Sequence, residues 1–411
     1  MLSPAHPPGA RTLETKALHA KTLAHRLLPG AVLVATTILL LVVPSWREAA
    51  VAFVPAYPNA AFAAGVVLAL RFRRHRVFLV VLLVAGAERL VWLTADSSVG
   101  HIMVGAASVW LPLNVAVLGW LPERHGFRIA AAWIIGLLAV EAVVTVLATQ
   151  PEAAPLAALL VTSVGDWHLS LAGLAAFLVA IALAALRAVV RPYPIECGTF
   201  WALAAALLGF IAGAPSLASI AFAGAGLVLA VSLVEASYVI AYGDELTGLP
   251  GRRALTETLG RLDGTYTIAM VDIDHFKKFN DTYGHDVGDQ LLRMIGARLG
   301  EVGGGGRAFR YGGEEFAIIF DDATLDEAVP HLEALRKRIE TTGFALRGPD
   351  RPRRRPDAPR ATTRPVQRVS VSVSIGAAAT NGGEDRPEDV LDAADAALYR
   401  AKDAGRNRLS T

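Results

Sequence analysis

The chain has 411 residues, 54% of them hydrophobic, and a mean hydropathy of +0.44. That balance excludes an ordinary soluble protein and points to a membrane protein or a fusion. A net charge of only +2 gives no bulk attraction for nucleic acid, and a single cysteine, Cys197, excludes an intramolecular disulfide.

Residues 1–26 are polar, carry Arg11, Lys16, Lys21 and Arg26, and read as a cytoplasmic tail. The apolar run behind them has no small-residue cleavage site close by and leads into further apolar runs. It therefore reads as a first transmembrane helix rather than a signal peptide. Residues 27–240 are almost continuously apolar, and a helix needs about 20 such residues to cross a bilayer. Candidate spans lie near 28–46, 51–70, 77–95, 101–121, 129–148, 170–189, 198–213 and 217–240. Cys197 falls at the edge of the seventh, where it reads as a plain thiol rather than a redox sensor. Arg71, Arg73, Arg74 and Arg76 follow the second span, Arg124 and Arg128 the fourth, and Arg187 and Arg191 the sixth. The loops after the third, fifth and seventh lack Lys and Arg. Basic loops stay on the cytoplasmic side, so both termini are expected there, in a cell (inner) membrane. The stretch 155–169 fits a short span, a re-entrant piece or an amphipathic segment. Glu88, Arg89, Glu141 and Glu235 fall inside spans, where charges often mark ligand or ion sites.

After Ile240 charges become frequent and apolar residues fall into short patterned blocks. Helices are predicted at 251–262, 285–299, 324–341 and 388–403, and strands at 266–272, 307–311, 315–320 and 368–378. The order βααββαβ suits an α+β domain, a sheet with helices packed on it, over residues 241–411. Residues 347–368 are crowded with Pro and Arg and read as an exposed insertion.

The strand YTIAMVDID has an apolar body but ends in Asp272 and Asp274. Buried carboxylates are costly unless paired or bound to metal. Asp274 is expected to cap the next helix, which leaves Asp272 unexplained. In RYGGEEFAIIF two glycines between strand-like runs read as a tight hairpin. Glu314 and Glu315 leave that turn, and alternation gives them different faces. If the hairpin lies beside the first strand, Asp272 and one glutamate meet at one edge. Hard oxygen ligands with room for water suit Mg²⁺ on a nucleotide.

The blocks DELTGLPGRRAL, VDIDHFKKFNDTYGHDVGD, RYGGEEF, VSIGAA and ALYRAKDAGRNR occur in the order found in GGDEF-family diguanylate cyclases, and the resemblance covers nearly all of residues 244–411. It implies a fold similar to nucleotidyl cyclases and polymerase palm domains, with a central antiparallel sheet. It implies that two GTP molecules are joined into cyclic di-GMP, with release of pyrophosphate, across a homodimer beneath a lipid bilayer. By the same resemblance Asp272, Glu314 and the Ile273 carbonyl would hold two Mg²⁺ ions per active site. Asn280 and Asp289 would bind the guanine edge, with His285 close to that pocket. Lys402 and Arg406 would contact phosphates. The backbone amides of His275, Phe276 and Lys277 would cradle the β- and γ-phosphates. The Lys277 side chain would offset transition-state charge, and Glu314 would be the candidate proton acceptor.

Two positions depart from the family pattern. Gly251 stands where an Asn is usual in the first block. Gly303 and Gly306 stand where many members carry the Arg and Asp of a product-inhibition motif, so no inhibitory site is expected. Competing readings are an inactive GTP- or cyclic-dinucleotide-binding module, and a membrane receptor or transporter with a regulatory tail. The signal that the membrane half would sense is not legible in the residues.

Overall fold

The computed structural model describes residues 8–94, 98–121, 127–162, 169–346, 368–380 and 386–411. The chain divides into two compact units, Met1–Ser237 and Tyr238–Thr411. The insertion at 347–368 lies outside the described residues except for Arg368, as do Arg124 and most of the uncertain stretch 155–169 after Thr162.

The long elements of the first unit are helices: α1 (Pro8–Val42), α2 (Pro44–Ala52), α3 (Tyr57–Arg71), α4 (His75–Thr94), α5 (Ser98–Trp120), α6 (Phe127–Ala148), α7 (Ala154–Val161), α8 (Leu171–Val190), α9 (Pro194–Ile211) and α10 (Pro215–Tyr242). Among the described residues, six segments are each long and apolar enough to cross a membrane, or up to eight if each of two bent pairs is one span. The expected spans 51–70 and 129–148 are those pairs. The pair α2 and α3 bends by 69°, and Ile134–Ala148 with Pro151–Leu160 bends by 97°. Proline explains both breaks. Pro55 and Pro58 lie at the first bend and Pro151 and Pro155 at the second, where each ring removes a helical N–H and clashes with the preceding turn. The helix α1 begins at Pro8 and runs unbroken into the span at Thr22–Val42. Its Ala, Leu, Lys and Glu content favours helix even where it is polar.

The basic loops converge at one end of this bundle. Arg76, in the first turn of α4, donates to the carbonyls of Gly119 and Leu121 around the end of α5, at 3.0 and 2.9 Å. Arg187 near the end of α8 pairs with Glu196 of α9 at 3.3 Å and stacks over Trp120. Arg74 donates to the Tyr193 hydroxyl at 3.2 Å, and that hydroxyl donates to the Ala236 carbonyl of α10 at 3.4 Å. The C-terminal end of α10 therefore shares an end of the bundle with the arginines that follow α3 and α8.

The second unit contains α11 (Arg252–Leu259), β1 (Tyr266–Ile273), α12 (Phe276–Tyr283), α13 (His285–Leu299), β2 (Arg307–Gly312), β3 (Glu315–Asp321), α14 (Leu325–Thr342), β4 (Phe344–Ala345), β5 (Arg368–Val369), β6 (Val373–Ala379), α15 (Pro387–Asp403) and β7 (Leu409–Ser410). Five strands form one sheet in the order β2-β3-β1-β6-β7, and β4 pairs with β5 in a separate ribbon. The expected strand 368–378 is thus two strands in two sheets. It breaks at Ser372, whose carbonyl accepts the Asp274 N–H at 3.0 Å. The sheet is not wholly antiparallel either, because β7 runs parallel to β6.

β1 is buried along its whole length, as a strand covered on both faces must be. Alternation sends Ala269, Val271 and Ile273 into a core with α13 and α14, and Tyr266, Ile268 and Met270 into a second core with α11 and α15. Asp272 follows the second set and so faces α15. Helix and strand approach closely there because Gly376 of β6 has no side chain. A Cβ at that position would lie 2.0 Å from the Leu398 nitrogen and 2.2 Å from the Ala394 carbonyl oxygen. Gly376→Val is therefore expected to push α15 off the sheet, at a cost at or above the roughly 1–3 kcal/mol typical of overpacking, because the clash is with backbone. Hydrogen exchange on the full-length protein checks this. Protection should fall in the β1, β6 and α15 peptides and stay unchanged in the first unit.

Candidate active site

The end of β1, the turn after β2, the start of α12 and the end of α15 meet at one edge of the sheet. Asp272 is 7% exposed, and its Oδ2 accepts from Lys402 Nζ at 2.9 Å. Burial pushes the Asp272 carboxyl above the ordinary carboxylate range, and the bond and charge of Lys402 only partly oppose it. Register sets Asp272 opposite Glu315. Glu314 lies one residue before β3, in the turn, and so escapes strand alternation. Its carboxyl is also pushed up, first by burial, then by the charge of Asp272, against the pull of Lys402. One ammonium thus acts on two carboxylates, and the charge of Asp272 raises Glu314.

The hairpin turn is held from outside the motif. Arg310 Nη1 contacts both Asp244 carboxylate oxygens at 2.9 Å, and its Nη2 donates to the Gly313 carbonyl at 2.7 Å. Burial alone would raise the Asp244 carboxyl, but bonds from the Thr247 hydroxyl and N–H and from Arg310 outweigh it and hold it below its usual range. Arg310 fixes where Glu314 leaves the turn, a role the sequence reading did not assign. A positively charged residue two before a GG turn was the available signal.

Asp274 does not cap α12. His275 occupies the cap position in the left-handed region, φ 58°, with no side-chain cap bond. Asp274 is 8% exposed and receives three donors instead: the Ser372 and Ser374 hydroxyls, each at 2.6 Å, and the Asn407 N–H at 3.0 Å. Asn407 is held in turn by α14. Arg336 Nη1 donates to its carbonyl at 3.0 Å and its Oδ1 at 2.6 Å, while Asn407 Nδ2 donates to Glu340 at 2.7 Å. These bonds stabilise a strained segment, with Arg406 and Asn407 at φ 63° and 48°. They fix Arg406 beside the site, close enough for its charge to act on Asp272. Sequence reasoning missed this network because its members are up to 133 residues apart in the chain.

The other expected residues fall on α12 and α13. Phe276 is buried in the core, so only its backbone can face a ligand, while Lys277 is exposed one residue on. The first-turn amides of α12 have no intrahelical acceptor, which suits an anion. Asn280 Oδ1 is buried and has no hydrogen-bond partner. The amide lies against Gly288, where a Cβ would come within 1.8 Å of that oxygen. Asp289 follows at once on α13, half-buried, and His285 is exposed one turn earlier. The structure thus gathers Asn280, Asp289 and His285 into one group, and Asp272, Glu314, Lys402 and Arg406 into another. Ile273 turns its side chain into the core at 1% exposure.

The two departures also have local explanations. A Cβ on Gly251 would meet only ordinary contacts at 3.6 Å or more, so an Asn is not required there for packing. A Cβ on Gly303 would lie 2.9 Å from His331 Nδ1, and one on Gly306 2.7 Å from the Phe320 ring. Side chains at either position would need the backbone or its neighbours to shift.

The second unit is similar in sequence to known proteins. Residues 241–355 and 354–408 match the family model described as "Diguanylate cyclase, GGDEF domain". Response regulator PleD of Caulobacter vibrioides is 36% identical over 182 residues, covering 42% of this chain and 37% of PleD. Diguanylate cyclase DosC of Escherichia coli is 37% identical over 175 residues, covering 40% of this chain and 34% of DosC. The chain therefore spans little more than a third of the length of these relatives. Among solved structures, the coiled coil and GGDEF domain of DgcB from Caulobacter crescentus, in complex with c-di-GMP, is 31% identical. It covers 43% of this chain and 88% of that one, with a TM-score of 0.37.

The opposite pKa directions of Asp244 and Glu314 give opposite pH signatures. A lowered carboxyl stabilises the fold above its unfolded pKa, and that contribution is lost as pH falls through the lowered value. Asp244→Asn is expected to cost about 1 kcal/mol at neutral pH and almost nothing in strong acid. A raised carboxyl destabilises the fold once ionised, so Glu314→Gln should be neutral in acid and slightly stabilising at neutral pH. That gain stays under about 1 kcal/mol because the side chain is partly solvated. Denaturant unfolding of the full-length variants at two pH values, followed by hydrogen exchange in β2 and β3, checks both signs.

Proposed function

We propose that this chain, whose C-terminal unit is a GGDEF domain, is a diguanylate cyclase that joins two GTP molecules into cyclic di-GMP. The observation that carries the reading is the meeting of Asp272, Glu314 and Lys402 at the sheet edge, beside the open N-terminus of α12. The donor set fits Mg²⁺. Asp272 is paired with Lys402 while its charge still raises the Glu314 carboxyl beside it, and Mg²⁺ commonly takes only one or two carboxylates plus substrate phosphates. Asp272 and Glu314, with the Ile273 carbonyl, would hold it. When bound, the metal would acidify the attacking hydroxyl and offset charge at phosphorus.

The residues of the chain supply the rest. First-turn amides of α12 cradle the β- and γ-phosphates, and Lys277, exposed beside them, places a cation near the departing pyrophosphate. Lys402 and Arg406 bind phosphate oxygens, held in place by α15 and by the Asp274–Asn407 bonds. The unpartnered Asn280 Oδ1 accepts from a guanine N–H, and Asp289 accepts a second. His285 borders that pocket. The 3′-hydroxyl of each GTP attacks the α-phosphate of the other in line, two phosphodiester bonds form as the two bonds to pyrophosphate break, and Glu314 of each domain is positioned to accept the hydroxyl proton. One domain offers one nucleotide site, so two domains must face each other as a homodimer. An inactive binding module is disfavoured because the sequence keeps Asp272, Glu314, Asn280, Asp289 and Lys277, the residues proposed for metal, base and charge stabilisation. The apolar segments and the gathered arginines support a multi-pass location in the cell (inner) membrane with the catalytic unit in the cytoplasm.

Chromatography of GTP products made by the purified full-length protein tests the activity. Cyclic di-GMP should form with Mg²⁺. Glu314→Gln and Asp272→Asn should each reduce it by at least about 10³-fold, in the range seen when a stabilising group at a reacting centre is removed. Near wild-type rates in folded Glu314→Gln protein would refute the assignment. For location, a reporter enzyme fused after Tyr242 should be active only as a cytoplasmic reporter, and one inserted within 96–100 only as an external one.

A further inference from the structure

Three carboxylates are buried in the first unit among the described residues: Glu88, Glu141 and Glu196. Glu88 pairs with Arg89 at 3.2 Å and accepts from the Ser219 hydroxyl at 2.5 Å. Glu196 pairs with Arg187 at 3.3 Å. Glu141 of α6, 5% exposed, has no cationic partner among the described residues. Its side-chain partner there is the Asn114 amide of α5, whose Nδ2 lies 3.0 Å from both carboxylate oxygens.

The geometry of that pair fixes its chemistry. As it stands the amide donates to both carboxylate oxygens, and Asn114, 1% exposed, is left with an acceptor and no donor. One helical turn earlier on the same face of α5 stands Trp110, whose indole N–H is buried and also unpartnered. Glu141, Asn114 and Trp110 all line one cavity of about 570 Å³ between α4, α5 and α6, whose walls are otherwise mostly aliphatic. That volume lies in the range of small-molecule sites, which pair apolar walls with a few convergent polar groups. Native interiors leave few buried polar groups unmatched, and an intramembrane carboxylate without a cation is costly.

We propose that this cavity binds a lipophilic amine, an apolar molecule whose cationic head meets Glu141 and Asn114. An ammonium supplies both what the carboxylate lacks in charge and what the amide oxygen lacks in donors. The Trp110 N–H takes an acceptor oxygen on the same molecule where the head carries one. The apolar body lies along the aliphatic walls. This assignment does not depend on the chemistry of the C-terminal unit.

The test uses the full-length protein in nanodiscs of zwitterionic lipid and a diazirine-bearing alkylamine as photoprobe. Labelling should map to peptides of α4, α5 and α6. Decylamine should displace the probe at about a tenfold lower concentration than decanol, the margin expected of a charge-assisted bond, and decanoate should displace it least. Glu141→Gln should reduce the margin between amine and alcohol to about twofold or less. Gly86→Leu should abolish labelling while the protein stays folded. Gly86 lines the cavity, and a Cβ there meets nothing within 4 Å, so the larger side chain occupies the space without clashing at its root. Equal displacement by amine and alcohol, or an amine preference that survives in Glu141→Gln, would overturn the proposal and leave a slot for lipid tails. Labelling that persists in folded Gly86→Leu protein would overturn the location.

Discussion

The second unit depends on a buried carboxylate that lies outside the proposed chemistry. Asp274 ends the central strand where three segments distant in the chain must meet: β1, the residues leading into β6, and the loop after α15. Its bonds from Ser372, Ser374 and Asn407 satisfy it almost fully, so the desolvation of the charge is balanced by short donors. Breaking such a set leaves an unpaired buried charge, which costs more than the net worth of the bonds. The same bonds hold Arg406 and Asn407 in left-handed conformations that neither would adopt alone.

Asp272, two residues earlier on the same strand, is left in the opposite state. It has one donor, Lys402, and a second carboxylate close by. The contrast follows from position. Asp274 lies beyond the last paired residue of β1 and can be reached from the β6 side, while Asp272 is hemmed in by Glu315 and Ser374 as ladder partners. Its side chain can therefore meet only what α15 and the hairpin turn present. Gly376 lets α15 descend far enough to present Lys402, and the Arg310–Asp244 pair sets the turn so that it presents Glu314. A fully compensated carboxylate anchors the edge, and an undercompensated one remains there for ligands.

How much of this was legible in the sequence depended on the range of the interactions. The strand ending in Asp272, the hairpin at Gly312-Gly313 and the helix carrying Asp289 are local patterns, and each reads directly, whereas α12, which carries Asn280, had no range among the predicted helices. The Asp274 reading failed because an Asp shortly before a helix ordinarily caps it. The cap position fell one residue later, on His275, once Asp274 was engaged with Ser372 and Ser374. Arg336 in an amphipathic helix looks like a solvent-facing cation. Only the fold shows that its partner is Asn407, 71 residues away. The short strands β4, β5 and β7 have two residues each, too few to carry a period. In the first unit hydropathy located the apolar segments but not their direction, because it sums side-chain transfer and does not register where Pro55 or Pro151 turns the chain.

Both units follow one economy of buried charge, and that economy separates scaffold from site. Asp274, Glu88 and Glu196 each take a donor from another element, and each joins elements that would otherwise part. Asp272 with Glu314 shares one ammonium between two carboxylates, and Glu141 has an amide in place of a cation. Folding cannot select such arrangements for stability, since an apolar side chain of similar size would cost less in either place. Their persistence is explained if the missing charge arrives with a ligand. At the sheet edge two acids face an open helix N-terminus that attracts anions, so the complement is a cation that travels with phosphate. Between α4, α5 and α6 a single acid faces aliphatic walls, so the complement is a cation that travels with hydrocarbon. The unmatched charge sets the sign of the ligand's head in each case, and the surface around it sets what the rest of the ligand must be.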